Sequence, residues 1–237
     1  MTPSPSSFTR RQEFWSGCRD ELPILVGVAP FGMIYGLLAL GAGLSPTLAQ
    51  AMSAVVFAGS AQVVIAQLVH QGSPGLVVVV TVLVVNLRHA LYSASVAPFL
   101  RRLSAPVKGV LAYLLTDEAY AVAITRYLRD GERVEVSPYR HFYFFGAGIT
   151  LWACWQVTTA IGIYLGGRLP ESWSLDFTLP LTFIALVVPA LKDRASGAAA
   201  LSAGLVALAA LGLPYRLGLI AAALTGVAVG LGVEGRS

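Results

Sequence analysis

No Asp, Glu, Lys or Arg interrupts the chain between Leu22 and Leu87, and a helix that crosses a bilayer needs only about 20 such residues. Further charge-free stretches run over His141–Gly167, Phe177–Leu191, Ala195–Tyr215 and Leu217–Val233. Apolar residues fill nearly every face of these stretches. A membrane β-barrel would instead show strands of about ten residues alternating apolar and polar. The pattern therefore predicts an all-α fold: a polytopic integral membrane helix bundle of about seven or eight spans, with interrupted helices. Residues 1–21 read as a polar cytoplasmic tail and residues 22–237 as a single transmembrane domain.

Where polarity enters these segments, it does so in clusters. In the first, Leu22–Gly43, the string GVAPFG occupies Gly27–Gly32, and Pro30 removes a backbone donor in mid-membrane. A kink or break is expected there. Breaks at that depth must face protein or a wet cavity, and in transporters they mark the substrate site; a packing kink is the competing reading. The second segment, about Thr47–His70, sets Gln50, Ser53, Ser60 and Gln67 on one helical face around FAGSAQ. Such a stripe faces the protein interior, either at a site or as interhelical glue. The third, opening at Pro74, meets Asn86-Leu87-Arg88-His89, and the fourth, about Ala105–Ile124, carries Thr116-Asp117-Glu118.

Charge at a helix centre costs about 2.5 to 3.5 kcal/mol per residue on insertion scales. Arg88, Asp117 and Glu118 must pair or line water. The simplest arrangement sets Arg88 against Asp117 or Glu118, leaving one carboxylate to change protonation or to meet a substrate ammonium group. Tyr113, Asp117 and Tyr120 share a face at i, i+4 and i+7, which favours Asp117 as the inward acid. Arg88 and Tyr92 share a face likewise, and His89 stands about 100° round, placed to relay protons near neutral pH. A structural ion-pair network is the competing reading.

Composition agrees with the pattern: 56% of the 237 residues are hydrophobic and 12% charged, and the mean hydropathy is +0.73. The net charge of +4 does not indicate nucleic acid, because the basic residues sit at segment ends, where positive-inside bias accounts for them. Arg10, Arg11 and Arg19, then Arg126, Arg129, Arg133 and Arg140, then Lys192 and Arg194 all reach the cytoplasm if four spans precede Arg126 and eight exist in all. Arg101, Arg102 and Lys108 then fall on the wrong side. Either the third segment breaks at Asn86–His89 or an early segment is re-entrant. The N-terminal stretch lacks the short n-region and cleavage site of a signal peptide. Three small-xxx-small pairs, Gly32/Gly36, Gly162/Gly166 and Gly226/Gly230, predict close helix contacts.

Enzyme readings lack their residues. There is no HExxH, no P-loop and no Cys/His cluster, so no metal or cofactor is expected. Ser60 has no GxSxG context, and Cys18 and Cys154 stand alone. Without a nucleotide-binding motif, secondary transport is the simplest class, with backbone amides at Gly27–Gly32 and Gly59–Gln62 receiving a carboxylate. A membrane scaffold and a channel for another small solute are the alternatives. The candidate substrate-binding or coupling residues are Pro30, Gly32, Gly59, Ser60, Gln62, Asn86, Arg88, His89, Tyr92, Asp117 and Glu118.

At these motifs the chain resembles the AzlC family, the large subunit of branched-chain amino acid exporters. The matching strings are Ala29-Pro-Phe-Gly32, Phe57-Ala-Gly-Ser-Ala-Gln62, Asn86-Leu-Arg-His-Ala-Leu-Tyr92 and Leu115-Thr-Asp-Glu118, with Leu179-Pro-Leu-Thr-Phe-Ile-Ala-Leu186 resembling the family's C-terminal half. The resemblance implies export of valine, leucine, isoleucine or their analogues across the cytoplasmic membrane, driven by the membrane potential or a proton gradient. It also implies a small AzlD-type membrane partner of about four spans' length. The list of site residues rests on the physical reading alone.

Overall fold

The computed structural model describes residues 9–131, 137–168, 191, 193–210 and 217–235. Most of the expected span at Phe177–Leu191, the Leu179–Leu186 string, Arg133 and Lys192 lie outside them. Among the described residues all regular structure is helical. The chain divides into two compact units, residues 1–182 and 183–237.

Among the described residues the first unit holds seven helices: α1 Arg10–Gly41, α2 Pro46–Val55, α3 Gly59–His70, α4 Gly75–Leu100, α5 Ala105–Tyr113, α6 Asp117–Gly131 and α7 Arg140–Gly166. Only α1, α4 and α7 among the described helices are long and apolar enough to cross a membrane. Thr9 starts α1 with a capping box to Gln12, so the polar stretch read as a tail is helical from Arg10 onward. Ser45 starts α2, accepting from the Leu48 N–H with Pro46 in the first turn, and Ser104 occupies the same place before α5. Gly43 and Gly72, with φ of +84° and +67°, supply the left-handed turns that reverse the chain after α1 and after α3.

Side-chain contacts fix the directions. α1 and α7 run parallel: a Cβ on Gly17 would overlap the Tyr143 carbonyl, and one on Gly36 the Thr159 carbonyl. Arg10 lies 5.4 Å from the ring centre of Tyr139, so both helices begin at one end. α4 finishes at that end, because Arg140 covers the Phe99 ring at 5.6 Å and Tyr127 donates to the Arg140 carbonyl at 3.1 Å. From there α5 climbs back along α4, with Lys108 donating to the Arg101 carbonyl and Leu111 and Leu115 sharing a groove with Ser93 and Ala97. The chain reverses at Leu114–Thr116, and α6 returns parallel to α4, pairing Tyr120 with Tyr92 and Tyr127 with Phe99.

The second segment does the same from the opposite end. α2 leaves the far end of α1, with Tyr35 donating to the Ala49 carbonyl at 2.9 Å, and descends to a break at Val56–Ala58. α3 starts beside Phe31 and climbs to the turn at Gln71–Pro74, from which α4 descends about 39 Å at 1.5 Å per residue. Ser60 meets Arg88 half-way down α4.

Neither the second nor the fourth hydrophobic segment is therefore a span: each is a hairpin of two half-helices that enters and leaves at one end. That geometry brings Arg101, Arg102 and Lys108 to the same end as Arg10, Arg11, Arg19, Arg126, Arg129 and Arg140, which positive-inside bias makes cytoplasmic. The stripe Gln50–Ser53–Ser60–Gln67 and the face Tyr113–Asp117–Tyr120 are each cut by a reversal. Conversely, neither of the candidate breaks in the long helices occurs, and of the two alternatives for the basic cluster the re-entrant one holds. α1 is continuous through Pro23 and Pro30, and α4 through Asn86–His89.

The first two hydrophobic pairs form an inverted repeat. A long helix followed by a hairpin, α1 with α2–α3, recurs upside down as α4 with α5–α6. The break at Val56–Ala58 returns 58 positions later at Leu114–Thr116, with Ala54, Ala61 and Val64 matched by Ala112, Ala119 and Val122.

In the second unit, α8 (Arg194–Ala209) starts with a capping box between Asp193 and Ser196. It packs on α9 (Leu217–Glu234) through Gly226, where an added Cβ would stand 3.0 Å from the Ala203 Cβ. All three small-xxx-small pairs thus lie in close helix contacts, the first two between α1 and α7.

Candidate functional site

The two hairpin tips meet at Arg88. Its guanidinium donates to Asp117 Oδ2 at 2.5 Å and to the Ser60 hydroxyl at 2.5 Å. Asp117 is the first residue of α6 and Ser60 the second of α3, so one arginine ties the N-termini of two half-helices that come from opposite ends of the unit. A planar fork suits this task, because its two arms point at separate acceptors. The side chains remain 32% and 22% exposed. Arg88 Nε and Asp117 Oδ1 are buried with no hydrogen-bond partner among the described residues.

Of the two acids open to Arg88, the nearer is Asp117. Glu118, next along α6, is half-buried. Tyr92 follows Arg88 by one turn and stacks on Tyr120 with ring centres 4.5 Å apart, while Tyr120 donates to Ser95 at 3.0 Å. His89 turns away from the pair: its Nδ1 lies 3.3 Å from the Asn86 carbonyl, and its ring meets Tyr92 edge-on at 5.9 Å. The Asn86 amide oxygen is also buried without a partner among the described residues.

Each tip needs its reversal stabilised, since a broken helix frees carbonyls on one side and amides on the other. Gln62 does this for the outer tip. Fully buried, it donates from Nε2 to the Val56 carbonyl and, at 3.4 Å, to the Ser53 carbonyl, and its Oε1 accepts from Trp155 at 3.1 Å. Gln156 also donates to Ser53, at 3.1 Å. Tyr113, the last residue of α5, donates to the Ala54 carbonyl and accepts from Trp152 at 2.7 Å. The amides that open α3 have no side-chain cap.

α7 braces both tips. Trp155 holds Gln62 and stands 2.8 Å from the Cβ position of Gly59, with Phe31 equally near. On the cytoplasmic side Gly148 admits Leu114, whose Cβ lies 2.8 Å from the Gly148 Cβ position. Of the sequence-predicted residues, Ser60, Arg88, Asp117, Glu118, Tyr92, Gly59 and Gln62 gather around the tips. Gln62 and Gly59 serve there by shaping the break.

Pro30 and Gly32 stand apart. The continuity of α1 commits the Gly27–Gly32 amides to intrahelical bonds, apart from Pro30, which has none. Pro30 is exposed, and Gly32 lets the Thr158 side chain approach from α7. The amides expected at Gly27–Gly32 are thus not free to receive a carboxylate. Sequence reasoning missed Tyr113, Trp152, Trp155 and Gln156 as supports. Their aromatic and amide groups are indistinguishable from ordinary membrane-helix packing until the breaks are known.

Residues 23–169 match the family model described as AzlC protein. The chain is 29% identical over 200 residues to Inner membrane protein YgaZ of Escherichia coli, covering 82% of this chain and 78% of that protein. It is 31% identical over 226 residues to an uncharacterized membrane protein of Archaeoglobus fulgidus, covering 93% and 95%. A membrane protein of Helicobacter pylori is 26% identical over 185 residues, covering 76% and 78%. No solved structure matches this chain.

Proposed function

This chain belongs to the AzlC protein family, and we propose from that membership that it is a secondary transporter subunit exporting branched-chain amino acids, such as valine, leucine and isoleucine, across the cytoplasmic membrane. The observation that carries the reading is Arg88 held between Ser60 and Asp117 at two half-helix N-termini. An amino acid zwitterion offers one carboxylate and one ammonium group. Inserted between Arg88 and Asp117, it replaces one ion pair with two, so the site is neutral both empty and loaded. An empty site that neutralises itself avoids the cost of an unpaired charge in a low-dielectric interior.

In this scheme the carboxylate meets the Arg88 fork and the uncapped amides at Gly59–Ala61, where the helix dipole favours negative charge. The ammonium group meets Asp117, with Tyr92, Asn86 and Glu118 nearby. The α2–α3 tip stands between the site and the outer face, and the α5–α6 tip between the site and the cytoplasm. Releasing one tip at a time gives alternating access around a fixed midplane site. His89, beside the pair, is a candidate relay, and a small AzlD-type membrane subunit is the proposed partner.

An enzymatic role has little support in this geometry. The Ser60 hydroxyl is engaged by a guanidinium, which cannot act as a base.

The test is efflux. Cells loaded with labelled leucine or valine should lose label faster when they express the chain with a small AzlD-type subunit than when they lack it. Efflux that does not respond to deletion or overexpression of the pair overturns the substrate assignment.

A further inference from the structure

Among the described residues three buried acids stand outside the Arg88 site, Glu13, Glu21 and Asp130, and Glu21 differs from the other two. Glu21 is 0% exposed, and neither of its carboxylate oxygens has a hydrogen-bond partner among the described residues. It lies on the same face of α1 as Glu13, two turns earlier and 4% exposed. Glu13, however, has a cation, Arg126, at 4.0 Å.

The charged and titratable groups around Glu21 are these. On α1 itself, Asp20 accepts a 2.7 Å hydrogen bond from the Tyr143 hydroxyl. From α7, Tyr143 is within electrostatic reach, and from α6 so is Glu118. Arg126 on α6 is engaged by Asp130 at 2.9 Å as well as by Glu13, and Arg19 on α1 and Arg129 on α6 line the cleft between those helices. α2 has no titratable residue, and α3 has only His70 at its far end. Among the described residues no cation pairs with Glu21, and a second carboxyl, Glu118, lies within electrostatic reach. A bare carboxylate in that position costs several kcal/mol, which a bound proton removes.

Between α1 and α6 a cleft of about 620 Å³ at the cytoplasmic end is lined by Asp20, Pro23, Ala121, Arg126 and Tyr143, so residues flanking Glu21 reach the cleft while Glu21 itself stays covered. Glu118 adjoins Asp117, which holds Arg88.

We propose that Glu21 is the proton-coupling site of the transport cycle, receiving a proton from the Arg88 site by way of Glu118 while that site is open to the outer face, and releasing it to water of the α1–α6 cleft. The role rests on the transport reading above. Protonated, Glu21 adds no charge near the Asp117–Glu118 end of α6. Once Glu21 releases its proton to the cleft, two carboxylates repel across the α1–α6 contact, and that repulsion weakens the seating of the cytoplasmic tip. Proton release is thereby linked to opening on the cytoplasmic side.

Infrared spectroscopy of the full chain in liposomes, combined with labelled valine transport, tests this. Wild type should show a carboxylic-acid C=O band at neutral pH that Glu21→Gln lacks. The same variant should keep gradient-free valine exchange while losing at least about tenfold of the stimulation by an imposed pH gradient. A band unchanged in Glu21→Gln, or a pH-gradient response equal to wild type, overturns the proposal. If Glu21→Gln does not accumulate, Glu21→Asp decides: an acid band shifted from its wild-type position supports the assignment, and an unshifted one overturns it. Wild type that moves no valine counts against the substrate reading, whereas the band still decides whether Glu21 holds a proton.

Discussion

The two hairpins share a topology and differ in charge. The outer tip opens α3 with Gly59, Ser60 and Ala61, uncharged and uncapped, and its freed carbonyls are met by the neutral donors of Gln62, Gln156 and Tyr113. The cytoplasmic tip opens α6 with Asp117 and Glu118, so its helix dipole is answered from within its own first turn. One tip is left attractive to an anion and the other to a cation, and Arg88 joins them. Two hairpins of one topology thus carry ends of opposite preference, matching the two ends of the zwitterion proposed as substrate.

Substituting Asp117 strikes the comparison hardest. Asp117→Asn removes the carboxylate that holds Arg88 and leaves Glu118 as the one acid in the first turn of α6. Leucine efflux should fall about a hundredfold at unchanged membrane abundance, about 2.7 kcal/mol of lost transition-state stabilisation. A loss of abundance with normal activity per molecule would instead favour a structural network. Gln62→Leu tests the outer tip, because it strips a donor from the Val56 and Ser53 carbonyls and an acceptor from Trp155. Leaving such groups unpaired costs about 1 to 3 kcal/mol each, and the midpoint of thermal unfolding in detergent should drop by several degrees. The smallest effect is expected from Ser60→Ala, which frees one arm of the Arg88 fork and leaves the Asp117 pair in place. A single hydrogen bond of about 1 kcal/mol corresponds to about a fivefold rise in the leucine concentration giving half-maximal efflux; an effect as large as that of Asp117→Asn would make the two tips equivalent.

The membrane character and the central ion pair are both legible in the chain itself. A charge-free run as long as Leu22–Leu87 admits few other readings, and the price of an unpaired Arg88 forces it toward a nearby carboxylate. The hairpins are hidden. Val56-Phe57-Ala58 and Leu114-Leu115 are apolar, so two half-helices and a reversal have the same hydrophobic profile as one span. Proline misleads in the opposite direction, since Pro23 and Pro30 sit inside an unbroken α1. Whether a proline breaks a helix depends on neighbours that hold the freed carbonyl or the helix around it, and α7 packs along nearly all of α1. Glu21 is hidden for a related reason. Arg19-Asp20-Glu21 reads as a solvated run, but α1 begins at Arg10 and turns one side of that run against α6 and α7.

The signal that does survive in the sequence is the basic cluster at Arg101, Arg102 and Lys108. It conflicts with any count in which the second segment crosses the membrane, and Arg126, Arg129 and Arg140 conflict with one in which the fourth alone does. Making both re-entrant removes the conflict, because α4 then ends, and α5 begins, on the side where α1 begins.

The seam between α1 and α7 has a mechanical consequence. At Gly17, Gly36, Gly146 and Gly162 the backbone of one helix rests on a carbonyl of the other, with no side chain between them. Sliding by one residue would drive a carbonyl into a Cβ, so the two rods behave as a single strut with no shear mode. Whatever displacement accompanies passage of a solute must be taken up elsewhere, in the half-helices, each tip levering on a three-residue fulcrum against a frame that does not yield.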